Sequence, residues 1–233
     1  MFDPPPGRRQ PPAFSAPGPV VWLAGLLVAL HALRAVLLPA LGGGRMIEQL
    51  LFYELALIPE RLALFLGEAG NPAAYSLGSL LLASVGHAFL HLDWMHVLVN
   101  AIMLLATGAP VARRLGIPGF LAVFFGAVLG GALLFFLFRL PDGAPAVGAS
   151  GGVSGLIAAV LLVMQAPRGG WRSLTQGHFL RASAAFMVLN LLLAFIGPAL
   201  FGAGIACDAR VGGYVVAERI MAWATQRQLR RMP

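Results

Sequence analysis

Long apolar stretches, separated by short polar or basic connections, fill most of this chain and leave few folds open to it. A helix needs roughly 20 apolar residues to cross a bilayer. Stretches that approach or exceed that length fall at about 20–41, 93–112, 117–138, 150–167, 178–199 and 204–226. Charged residues make up only 11% of the chain, against 59% hydrophobic, where a soluble domain carries about 25% charged. Mean hydropathy is +0.83. Water is therefore not the main solvent, and the spans with their connections leave no room for a separate soluble domain. The expectation is an all-α membrane domain over 20–226, behind a disordered Pro-rich cytoplasmic lead over 1–19 and ahead of a short basic cytoplasmic tail over 227–233.

The net charge of +7 is carried by arginine, since the chain has no lysine. Clustered basic charge would suggest nucleic acid, but these arginines are dispersed at the ends of apolar stretches and read as topology signals. With the N-terminus inside, Arg113, Arg114, Arg168, Arg172, Arg181, Arg219, Arg227, Arg230 and Arg231 join Arg8 and Arg9 on the cytoplasmic side. Arg45, Arg61 and Arg139 fall outside. That bias predicts both termini in the cytoplasm and excludes nucleic acid as a partner. Cys207 is the only cysteine, which rules out an intrachain disulfide and reads as a small apolar residue. No cleavable signal peptide is evident. Abundant Arg, Ala, Gly and Pro without Lys suggests a GC-rich bacterial genome, hence the bacterial inner membrane.

The first connection, about 42–93, is too long for a turn. Within it, Met46–Leu66 carries Glu48, Glu54, Glu60 and Arg61 and is broken by Pro59. That is too charged to span and fits an amphipathic segment in the outer interface. Small-xxx-small pairs occur at Gly126/Gly130, Gly151/Gly155 and Gly213/Ala217. Such pairs let membrane helices approach closely, and they press the sixth stretch against the fourth.

Three motifs carry chemistry. Val147 through Gly155 reads Val-Gly-Ala-Ser-Gly-Gly-Val-Ser-Gly, with Ser150 heading an apolar stretch. Gly86 through Asn100 holds His87, His91, His96 and Asn100 in the spacing His-x3-His-x4-His-x3-Asn. Ala209-Arg210-Val211-Gly212-Gly213 lies on the sixth stretch. Together these resemble the rhomboid intramembrane serine proteases over about 20–226, and the turn at 108–116 adds to the likeness, with Ala112 where members commonly have a glutamate. The resemblance implies a six-helix bundle with a long amphipathic first external loop. It also implies Ser150 as nucleophile, His96 and Asn100 as oxyanion donors, and His87 and His91 in loop structure. Gly148, Gly151, Ser154, Gly213 and Ala217 would lie near the site without reacting.

One position departs from the pattern. Arg210 stands where the family has its general-base histidine, and Ser154 stands where many members carry an aromatic ring against that histidine. Serine is a poor nucleophile until a base takes its proton. Arginine offers five donors, no acceptor, and does not deprotonate in a protein. No other histidine is placed to serve, since His178 belongs at the opposite membrane face and His31 in the first span. A charge inside a span costs at least ~2.5 kcal/mol and marks a function or a wet cavity. Asp208, Asp142 or a backbone carbonyl is the expected partner of Arg210. His87 and His91 share an i,i+4 spacing near Asp93, but without HExxH or a cysteine the expectation is hydrogen bonding, with no metal and no cofactor.

The leading expectation is a pseudoprotease that binds transmembrane helices, or a membrane complex, without cutting. The alternatives are an active intramembrane serine endopeptidase with an unconventional base, and a structural subunit of a larger membrane assembly.

Overall fold

A computed structural model describes residues 16–42, 44–67, 71–165, 170–201 and 206–230. Most of the expected lead lies outside these residues, as do Arg168 and residues 231–233. Where the lead is described, helix begins two residues earlier than expected, and residues 227–230 of the expected tail continue the last helix.

The chain opens with α1 (Gly18–Ala32), whose early proline forfeits no hydrogen bond, because first-turn N–H groups have no intrahelical partner. It passes through a π-helical turn, Leu33–Leu37, into the short α2 (Leu38–Ala40). Pro39 cannot donate to the ladder, and the widened turn lies just ahead of it. The charged segment over Met46–Leu66 is two helices, α3 (Gly44–Leu55) and α4 (Pro59–Gly67), so Pro59 starts a helix where it could only have broken one. On α3, Met46 and Leu50 are exposed.

A further helix, α5 (Leu77–Gly86), begins at a reciprocal Ser76/Ser79 capping box and ends in a 3-10 turn, His87–Phe89. This helix falls within the stretch expected as connection, and its ten residues are too few to span.

Asp93 caps the next helix, accepting from the His96 N–H at 2.8 Å. This helix, α6 (Trp94–Arg139), is a pair of arms that meet at Gly116, where φ is 74° and ψ 176°. Only glycine adopts such a backbone freely. The turn expected over 108–116 is therefore confined to Gly116, and helix runs through Pro110 up to that point. Next come α7 (Ser150–Gln165), α8 (Gly177–Phe201) and α9 (Cys207–Arg230).

Glycines set the core. The second arm of α6 meets α9 at Gly126, Gly130 and Gly212, while α7 meets α9 at Gly151, Gly155 and Gly213. A Cβ on Gly155 would stand 2.8 Å from that of Ala217. Thus α9 packs against α6 and α7 at near-backbone distance, and the expected contact between the fourth and sixth stretches is present. Tyr214, at 1% exposure, stacks on Phe179 and Phe186 and shares a 2.7 Å hydrogen bond with Ser183 of α8.

Among the described residues three helices are long and apolar enough to cross a membrane: Gly18–Ala40, Trp94–Arg139 and Gly177–Gly197. Ser150–Met164 is apolar but shorter. The last of the three long helices is the least enclosed, with Val188, Leu189, Leu191 and Phe195 facing outwards.

Candidate functional site

The segment leading into Ser150 is strapped down by the first connection. Leu57 and Ala146 exchange backbone hydrogen bonds at 3.0 and 2.9 Å. The Gly148 N–H donates to the His87 carbonyl at 2.7 Å. The Ala149 N–H donates to Nε2 of His91 at 3.4 Å. Three successive ties fix the chain up to the first residue of α7. His87 takes part through its main chain and His91 through its ring.

Gly148 has a φ of +118°, and a Cβ there would lie 2.6 Å from Nε2 of His96. A side chain is excluded twice, by backbone conformation and by the imidazole. His96 and His91 meet edge to face, with ring centroids 4.9 Å apart. Asn100, one turn further along α6, is buried and donates from Nδ2 to the His96 carbonyl at 2.8 Å. One hydrogen of its amide is therefore spent on its own helix. The first turns of α7 and α9 meet where Gly151 faces the Ala209 carbonyl and Gly213 faces the Gly151 carbonyl. Ser154, on α7, is buried at 3% exposure.

Arg210 sits on this first turn of α9, near enough to His96 for its charge to be felt at the imidazole. The expected acidic partners are corrected: Asp208 is ion-paired with Arg139, where it ties α6 to α9, and Asp142 is exposed. Arg210 instead donates from Nη1 to Oδ1 of Asn190 on α8, at 3.4 Å, and its Nε is buried without a partner. No hydrogen bond among the described residues joins Ser150 Oγ to Arg210 or to an imidazole. The structure brings Ser150, Gly148, His91, His96, Asn100 and Arg210 into one neighbourhood, with donors in excess and no base engaged on the serine.

Two members of this network escaped the sequence reading. Asn190 is 3% exposed on the least enclosed of the three long helices. Arg34 reaches out of the π turn to the Glu48 carboxylate and to the His91 carbonyl. A polar residue inside an apolar stretch was the available signal for both.

His91, between the 3-10 turn and α6, is pushed down to about 3, first by burial and then by the positive charge of His96, His31 and Arg34. The folded form stays neutral while the unfolded chain takes a proton below about pH 6.5. Its contribution to stability is thus complete above pH 6.5 and shrinks as pH falls towards 3, by up to ~1.4 kcal/mol per pH unit. Melting in detergent should be flat from pH 8 to 7 and fall steadily below 6. A His91→Asn variant should show a shallower fall, and an unchanged slope would mean that His91 is protonated in the fold.

A family model described as the Rhomboid domain matches residues 79–226, from α5 through most of α9. No curated protein matches the chain. The match takes in each of the three motifs whose residues converge around Ser150, and it covers well over half of a chain built on long apolar helices. On that evidence this integral membrane protein belongs to the rhomboid family.

Proposed function

We propose that this protein is a rhomboid that no longer cleaves. In this reading it crosses a bacterial inner membrane six times, with both termini in the cytoplasm, and binds transmembrane helices of other membrane proteins or a membrane complex. The observation that carries the reading is Arg210. The position that should accept the serine proton holds a group with donors only, turned towards Asn190 and away from any bond to Ser150. Removing a proton from an alcohol needs an acceptor near neutrality, and a guanidinium supplies none. The oxyanion-type donors around Gly148 and Ser150 would then have no tetrahedral intermediate to stabilise. An active enzyme would need another base. His96 lies against Gly148 and is the imidazole such a mechanism could use, but it makes no hydrogen bond to Ser150 Oγ.

The test is a cleavage assay with the purified full chain and a model single-span substrate in liposomes. No product above the level of a Ser150→Ala control is expected. Product that disappears in the Ser150→Ala variant overturns the proposal.

A further inference from the structure

Arg210 is a partly buried cation without an anion. Among the described residues the arginines that do form ion pairs meet Glu48, Glu54, Asp208 and Glu218, and Arg210 is not among them. Asp93 is engaged as the cap of α6, and Glu60 and Asp142 are exposed. An unmatched charge among apolar helices is costly and is retained where something neutralises it.

The geometry of the guanidinium says what would fit. Nη1 is directed at Oδ1 of Asn190, whose Nδ2 is held by the Phe186 carbonyl at 2.9 Å, so the amide is oriented as an acceptor. The opposite edge, Nε with Nη2, is left. Nε is buried and unpaired, and Nη2 makes no hydrogen bond among the described residues. That edge presents two parallel N–H groups, the arrangement a carboxylate matches with its two oxygens. The surroundings favour negative charge too. The N-terminus of the sixteen-residue α7 lies beside the first turn of α9, and its free N–H groups carry partial positive charge.

The route of approach identifies the carrier. Asn190 is buried, but its neighbours Val188, Leu189, Leu191 and Leu192 on α8 are each about half exposed and apolar. An anion reaching Arg210 past α8 therefore arrives through hydrocarbon, which suits an acidic residue on an apolar helix and not a soluble ion. We propose that the Nε–Nη2 edge of Arg210 receives the carboxylate of an aspartate or glutamate within a partner's transmembrane helix. This rests on the non-cleaving, helix-binding reading and adds the chemistry by which a partner is chosen.

The probe is a fluorescent single-span polyleucine peptide with one aspartate about two turns below its outer end, beside a matched asparagine peptide. Binding to the full chain in phosphatidylcholine vesicles at pH 8 is read by energy transfer. The wild type should bind the aspartate peptide roughly tenfold tighter, or more, as a charge-assisted bidentate pair predicts. Arg210→Gln and Arg210→Met should bind both peptides alike. Neither change leaves a buried charge unpaired, so both variants should fold, which circular dichroism and melting check.

Equal binding of the two peptides by the wild type, or a preference that survives in Arg210→Gln, overturns the inference while leaving the non-cleaving reading intact. Loss of the preference when phosphatidylglycerol is added would assign the edge to a lipid phosphate and overturn the helix as carrier. Failure of both peptides to bind would remove helix recognition altogether. Ser150-dependent cutting of the aspartate peptide, with the preference kept, would defeat the non-cleaving reading alone.

Discussion

Gly213→Ala is expected to leave little folded protein. A Cβ at this position would collide with the Gly151 carbonyl oxygen and stand 2.8 Å from its carbon, with the Ala127 carbonyl oxygen at 3.0 Å. All three atoms are backbone, so no side chain can rotate aside, and α9 would have to withdraw from both α7 and α6. Overpacking a well-filled core costs about 1–3 kcal/mol when side chains can adjust, and here they cannot. The variant should lose at least ~3 kcal/mol, seen as a collapsed melting midpoint and aggregation on size-exclusion chromatography. Gly25→Ala is the control, because a Cβ there meets nothing within 4 Å. It should stabilise by about 0.5–1 kcal/mol through helix propensity. A Gly213→Ala protein melting like the wild type would show that α9 does not pack on α7 at this distance.

Arg210→His is expected to make Ser150 reactive. Residue 210 occupies the first turn of α9, beside the first turn of α7 that Ser150 begins. The substitution replaces a permanent donor with a ring whose pKa lies near neutrality. A positioned general base contributes about 10²–10⁴-fold, so labelling of the variant by a fluorophosphonate should exceed that of the wild type by roughly 10²-fold and vanish when Ser150→Ala is added. A folded Arg210→His protein that stays unlabelled would show that the site has lost more than its base. The buried Ser154, which offers no aromatic ring to pack against the new imidazole, is the first place to look.

Much of this molecule was legible because long apolar helices announce themselves. Apolar length placed α1, both arms of α6, α7, α8 and α9 to within a few residues, and small-residue spacing identified the close contact of α7 with α9. The elements that were missed are those whose signal is short. Helix α5 has ten residues, and its start is written only in Ser76 and Ser79, a capping pair outside any long hydrophobic period. The turn over 108–116 was expected only from the family resemblance, and the break is confined to Gly116, because a helix can pass Pro110 when neighbours satisfy the freed carbonyl.

At the site, motif spacing drew attention to Ser150, His91, His96, Asn100 and Arg210. What those residues bond to was not legible. The partner of Arg210 comes from α8, twenty positions away in sequence and on a helix facing another way, while Asp208, two residues off, is claimed by Arg139. The sequence left Asp208, Asp142 and a backbone carbonyl open as partners, and α9 turns Asp208 and Arg210 to different neighbours.

The most direct measurement is fluorophosphonate labelling of the unmodified full chain in liposomes, run beside Ser150→Ala and followed by mass spectrometry of the Val147–Gly155 region. With a guanidinium at position 210 turned to Asn190, the two proteins should be indistinguishable and no adduct should sit on Ser150. A stoichiometric adduct on Ser150 of the wild type, absent from the alanine variant, would mean that some group in this membrane already takes the serine's proton.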